Sequence, residues 1–128
     1  IEVTLSTGKK QYEMESEPVT RHIGEMQVKK TTFGIFIADK LHETVINHFY
    51  TVSHQNSKIY NGIVNVIPLN TKTFIKFFEK AARKDIQPHA LLSIHEHSLK
   101  ISKQMLIDDK TEEDWHESVI NKIFEIVT

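Results

Sequence analysis

TFGIFIA, residues 32–38, is the stretch on which the fold turns. It is apolar at nearly every position, and it does not alternate. A strand wetted on one side alternates polar and apolar side chains. A run of this length without alternation marks a strand buried on both faces, the central strand of a parallel sheet. On either side the chain supplies what such a strand needs. Before it, a helix is predicted from Ser16 to about Lys29, with Ser16 as cap and Glu17 and Pro18 in the first turn. Val19, His22, Ile23 and Met26 share one face of that helix, and Lys29-Lys30 close it where the dipole favours cations. After it, Asp39 to about Ser53 reads as a second helix, with Leu41, Val45, Ile46, Phe49 and Tyr50 at helical spacing.

Further out, Ile1 to Ser6 alternates Ile1, Val3 and Leu5 against Glu2, Thr4 and Ser6, the period of a strand, and Thr7-Gly8 ends it. Residues 62–67 read as a third strand stopped by Pro68. Asn70 caps a helix whose stripe is Phe74, Phe77, Phe78 and Ala81, expected to be core. Pro88 opens another helix carrying Leu91, Leu92, Ile94, Leu99 and Ile101. Thr111 and Asp114 cap a last one with Trp115, Val119, Ile123 and Phe124 inside. The order β-α-β-α-β-α-α-α defines an α/β fold: a small, mostly parallel central sheet joined by right-handed crossovers, flanked by helices, with a helical C-terminal part. Residues 1–128 are expected to form a single domain, since no linker, repeat or low-complexity tract divides them.

Composition excludes several classes. Sixteen Lys and Arg against seventeen Asp and Glu leave a formal net charge of −1, so the chain is no generic polyanion binder, and a DNA role would draw affinity from another domain. There is no cysteine, hence no disulfide framework, thiolate zinc site or Cys nucleophile. Apolar runs are far shorter than the ~20 residues needed to span a bilayer, and no signal peptide is visible, so a cytoplasmic protein without a membrane partner is expected.

The strongest candidate constellation is Glu2, Glu15 and His22. Glu2 occupies the polar face of the first strand. Glu15 follows just before a helix start, and His22 comes about two helical turns later. Two carboxylates converging near a strand make a hard-oxygen site suited to Mg²⁺, which polarises phosphates and activates water. A neutral imidazole accepts a proton or donates one hydrogen bond. Spacing alone equally fits an exposed strand Glu, a Glu beside a helix start and a His facing the core, and that plainer arrangement is the commoner one. His89, His95 and His97 lack the spacing of a helical metal site, and the acids Asp108, Asp109, Glu112, Glu113 and Asp114 suit a helix start and a solvated face. No glycine-rich phosphate loop is present.

The run IEVTLSTGKKQYEMESEPVTRH, residues 1–22, resembles a segment of the type IIS restriction and nicking endonucleases of the AlwI, MlyI, PleI and BstNBI kind, within the PD-(D/E)XK nuclease superfamily. The likeness rests on IEVTLSTG, then KQ, Glu15 and VTRH, with a weaker echo in FGIFIA. It implies a restriction-endonuclease-like fold and Mg²⁺-dependent hydrolysis of phosphodiester bonds in double-stranded DNA. Glu2 would be the metal-binding acid, the carbonyl of Val3 a second ligand, and Glu15 and His22 further active-site residues, His22 positioning water or phosphate. Thr4 stands where the superfamily usually has lysine, so positive charge would come from Lys9 or Lys10, with the neighbouring Gln11 a further DNA contact. Arg21 would contact a phosphate, although Arg21 and Glu25 at i, i+4 are an equally good surface pair. The superfamily's metal-binding Asp precedes the Glu strand, so the resemblance implies the C-terminal part of a cleavage domain, lacking the recognition domain and inactive by itself. The implied partners are double-stranded DNA and a second nuclease subunit or dimer partner. A non-catalytic α/β interaction module is the rival class, and a small-molecule enzyme built on Glu15 and His22 is another.

Overall fold

The structure is a computed structural model that describes the backbone of residues 2–4 and all of residues 15–128. Leu5, Ser6, Lys9, Lys10 and Gln11, which figure in the sequence reading, lie outside the described residues. The elements are β1 (Glu2–Thr4), α1 (Glu17–Met26), β2 (Gly34–Ala38), α2 (Glu43–Val52), β3 (Val66–Asn70), α3 (Thr71–Lys84), α4 (Pro88–Ile107) and α5 (Glu112–Val127). The sheet order is β1-β2-β3, and both pairings are parallel. Glu2, Val3 and Thr4 pair with Phe36, Ile37 and Ala38, which pair in turn with Pro68, Leu69 and Asn70. The expected α/β architecture, with a small parallel sheet and a helical C-terminal part, is the one observed.

β2 lies in the middle and is covered on both faces, as its unbroken apolar run requires. Phe36 and Ala38 have no exposed surface, and neighbouring Ile37, on the other face, is also buried. Phe36 packs on Phe49 of α2, ring centroids 5.2 Å apart. At Gly34 a Cβ would sit 3.2 Å from Ile23 Cδ1, so α1 lies directly over the first residue of β2. α5 is the hub of the helical layer. It packs against α2, α3, α4 and β3, and its Trp115, Val119 and Ile123 are buried. Trp115 stacks on Tyr50 at 5.4 Å. The Thr111 and Asp114 capping box forms at its start, as expected.

Several boundaries differ from the sequence reading. Pro68 does not stop the third strand but lies inside it. A strand residue's N–H and C=O point to the same side. Residue 65 accepts from Gly34, so the odd positions face β2 and Pro68 faces outward, where β3 has no described strand neighbour. The absent N–H is therefore harmless, and the Pro68 carbonyl accepts from His116 Nε2 at 2.5 Å. α2 starts at Glu43 rather than Asp39, because His42 provides the cap: its Nδ1 accepts from the Thr44 N–H at 3.2 Å. Ser16 has helical backbone angles and makes no side-chain cap, since the chain is already coiled there. Phe78 is 61% exposed, in contrast to buried Phe77. It lies about 100° round the helix from Phe77, at the rim of the apolar stripe. Leu91 and Leu92 are likewise exposed, and Ser98 and Ser102 join Ile94 at the buried positions of α4. There Ser98 Oγ accepts from Asn65 Nδ2 at 2.7 Å, and Ser102 pairs with Ser53. Asn70 caps α3 as expected, its Oδ1 accepting from the Thr73 N–H at 2.8 Å, so β3 runs into α3 with no intervening loop.

α1 is seated on residues 57–62 by a close backbone approach. A Cβ on Gly24 would lie 2.4 Å from the Tyr60 carbonyl oxygen. Gln27 Nε2 donates to that carbonyl at 3.1 Å, and Asn61 Nδ2 donates to the Gly24 carbonyl at 3.2 Å. Asn61 adopts φ 60, which an asparagine tolerates. Gly24→Ala is expected to lower stability by about 1–3 kcal/mol through overpacking, although alanine is the better helix former. Thermal melting checks this; an unchanged or raised midpoint would show that α1 is not seated so tightly.

Candidate active site

The candidate residues lie on β1 and on the crossover that follows it. Glu2 has its backbone opposite Phe36, at the middle of the sheet. Thr4 lies opposite Ala38, and Val3 opposite Ile37. Glu15 and Ser16 form a wider π-type turn leading into α1, and Glu15 is half-buried there. Such turns recur at functional positions. His22 lies seven residues on, along the same stripe of the helix and about 10 Å further down its axis.

His22 was expected to face the core with Val19, Ile23 and Met26. Val19 and Ile23 are buried, but His22 and Met26 are exposed. They rim a cleft of about 280 Å³ whose floor includes Gly34 and Ile35. That floor ends one residue before Phe36, the register partner of Glu2. The imidazole thus stands beside the first residues of β2, about 10 Å along α1 from Glu15.

Arg21 points elsewhere. It forms a two-pronged ion pair with Glu17, Nε to Oε1 at 3.2 Å and Nη2 to Oε2, rather than with Glu25. The Tyr60 hydroxyl donates to the same carboxylate at 3.4 Å. The hydrogen bonds from Arg21 hold the Glu17 carboxyl below its ordinary range, and Glu17 in turn raises the Arg21 guanidinium. A phosphate reaching Arg21 competes with a carboxylate already in place.

One side chain with no signal in the sequence matters to this geometry. His48 on α2 meets Thr20 on α1, Nε2 to Oγ1 at 2.8 Å. The Thr20 hydroxyl donates its one proton to the Ser16 carbonyl at 2.8 Å. The hydroxyl therefore accepts from His48, and the hydrogen sits on Nε2. Burial pushes the His48 imidazole below its ordinary value of 6.5, and nearby Glu17 opposes this only in part. Thr20 and Gly24, small residues at i and i+4 on one buried face, were the only hint that this side of α1 carries a close contact. Nothing in the sequence points to α2 as the partner.

The donor set Glu2, Val3 carbonyl and Glu15 is all oxygen, the chemistry a hard divalent cation requires. Among the described residues, no group of three or more His, Cys, Asp or Glu is placed to hold a metal. His95, one of the histidines in the sequence reading, stacks instead on Phe33 at 5.7 Å.

Residues 1–77 match the family model described as AlwI restriction endonuclease. Among the described residues the matched region covers β1, β2 and β3, the helices α1 and α2, and the start of α3. By class the chain is thus a restriction endonuclease, with DNA as its substrate. More narrowly, it belongs to the AlwI restriction endonuclease family. No curated protein matches the chain. No helix among the described residues is long and apolar enough to cross a membrane.

Acid should loosen this arrangement. His48, His95 and His116 are all lowered from 6.5, in each case chiefly by burial. Below that value the unfolded chain takes up protons that the folded one refuses. Stability is therefore fully present above about pH 6.5 and falls as pH drops below it. The melting temperature is expected to be flat above this point and to decline below it. His48→Gln, which keeps an N–H for Thr20, should show a shallower decline. A wild-type midpoint that holds constant down to about pH 5 would contradict this.

Proposed function

We propose that this restriction endonuclease acts in the cytoplasm on double-stranded DNA and hydrolyses phosphodiester bonds with Mg²⁺ held by Glu2, the carbonyl of Val3 and Glu15. The observation that carries the reading is the family match over the β1-α1-β2 unit that bears Glu2, Glu15 and His22. When bound, the cation neutralises charge that develops on the phosphate and favours the ionised form of the attacking water. The remaining work falls to the chain's own groups. Glu15, at the mouth of α1, orients the water through its second carboxylate oxygen. His22, exposed at the rim of its cleft, donates a hydrogen bond to a non-bridging phosphate oxygen or accepts a proton from the water. Thr4, in place of the usual lysine, offers a hydroxyl and no charge. Lys9 and Lys10 are the groups we assign to charge compensation and, with Gln11, to DNA contact, Arg21 joining them when it exchanges Glu17 for phosphate. Cutting both strands calls on a second active site from a second subunit.

The test is Mg²⁺-dependent plasmid nicking by the whole protein. Glu2→Ala and Glu15→Ala should each lower the rate by about 10²-fold or more. His22→Ala should lower it by about 10²–10⁴-fold, the range of a lost acid–base group. Melting curves should stay close to wild type, since Glu15 and His22 are not core residues. Wild-type nicking rates in both carboxylate variants would remove the reading.

A further inference from the structure

The net charge of −1 hides a strongly uneven surface. α3 carries five of the sixteen Lys and Arg and one of the seventeen Asp and Glu. Lys72, Lys76 and Lys80 stand at i, i+4 and i+8, with Arg83 and Lys84 beside them, and all five are exposed. At 100° per residue the five fall within one sector of about 120°, whose last member, Lys84, borders the side that carries Phe77 and Ala81.

Helix stability does not account for this stripe. Like charges at i, i+4 repel, and the stripe contains three such lysine steps. Lys72 occupies the first turn, where the helix dipole disfavours a cation. Only Arg83 and Lys84, in the last turn, suit the dipole. Glu79 is spaced to pair with Lys76 or Arg83, yet neither ion pair forms among the described residues, where the only two are Arg21–Glu17 and Lys122–Glu125. Three of the cations are thus set where the folded chain gains nothing from them, which is the pattern of a surface shaped for an external anion.

Its position says which anion. Asn70 is both the last residue of β3 and the cap of α3, so the stripe begins at the C-terminal edge of the sheet. Asn70 pairs with Ala38, and Ala38 with Thr4 at the end of β1. With strands ~4.8 Å apart, the start of α3 lies about 10 Å across that edge from the candidate strand. From Lys72 to Lys84 the stripe runs about 18 Å, long enough to follow several phosphates of one DNA strand, spaced ~3.4 Å along the axis.

We propose that Lys72, Lys76 and Lys80, extended by Arg83 and Lys84, form a track on α3 that holds the sugar-phosphate backbone of the DNA duplex beside the cleavage site. This rests on the endonuclease reading above and adds binding residues to it. The triple variant Lys72→Gln, Lys76→Gln, Lys80→Gln keeps good helix formers on an exposed face, so the fold is retained. Binding of the whole protein to a labelled random-sequence DNA duplex is measured in EDTA over a series of salt concentrations. Each phosphate contact contributes about 0.9 to the slope of log affinity against log salt, so the triple variant should lose about 2 to 3 units of slope. Replacing the same three lysines by arginine should keep the slope, and so should Lys100→Gln with Lys103→Gln on α4. A triple variant with wild-type slope and affinity overturns the proposal, and if the wild type still nicks plasmid, the endonuclease reading stands without it. A lost slope in a protein that fails to nick supports the track and sinks the catalytic reading. A wild type that neither binds duplex nor nicks plasmid ends both.

Discussion

Two neighbouring parallel strands cannot be closed by a tight turn; the chain must travel back along the whole length of the pair before it can begin the second strand. The pairing of β1 with β2 imposes that journey on the chain between them, and α1 makes its return leg. Its ten residues rise about 15 Å, close to the ~17 Å of a five-residue strand. Anything carried on the crossover is consequently laid over the strand pair it connects. An acid on β1, an acid at the mouth of α1 and an imidazole two turns further on are thereby carried on one β-α-β unit, although twenty residues separate the first from the last.

How firmly α1 is placed depends on contacts of an unusual mixture. Its buried residues are Val19, Thr20, Ile23 and Gly24, two apolar side chains and two small groups. Burying Val and Ile contributes roughly 1.5–3 kcal/mol each, which holds the helix against the sheet but leaves it free to slide or roll. The directional contacts remove that freedom. Thr20 meets His48, Gln27 meets the Tyr60 carbonyl, and Asn61 meets the Gly24 carbonyl. Each such bond is worth only about 0.5–1.5 kcal/mol net. Their value is positional, because all of them lie on the side of α1 away from the His22 cleft. The latch fixes the height and roll of the helix while the other side stays open to a substrate.

The elements that were legible in the sequence share a property: their determinants are local. The unbroken run of residues 32–38 announces a doubly buried strand, Asn70 and Thr111 announce caps, and Val45, Phe49, Trp115, Val119 and Ile123 lie where a 3.6-residue period puts them. What was misread depends on partners remote in sequence. Whether proline can sit in a strand depends on which side of it is paired, and β3 has a neighbour on one side only among the described residues. Whether Phe78 is core depends on how wide a sector of α3 the rest of the molecule covers. Periodicity marked His22 as an inward residue, and it lies at the edge of the buried sector, where the cleft opens. The polar seam of Ser53, Ser102, Asn65 and Ser98 was invisible because hydroxyls and amides at core positions carry no periodic signal until their partners are known. In the candidate site, the spacing of Glu2, Glu15 and His22 was readable, whereas the support by His48 and Tyr60 was not.

The same distinction governs charge. A net charge close to zero excludes affinity for a polyanion only if the charges are evenly mixed over the surface. At physiological ionic strength a fixed charge is felt over roughly 8 Å, less than half the length of the lysine-bearing helix. A duplex lying along that face meets the cations there first, whereas the acids Glu112, Glu113 and Asp114 open α5. Those acids are tied to a different task, since they complement the dipole at the start of the central packing helix. The sum over the sequence subtracts one function from another that acts elsewhere. The quantity relevant to binding is the charge within a screening length of the surface a ligand touches, and on α3 that quantity is strongly positive.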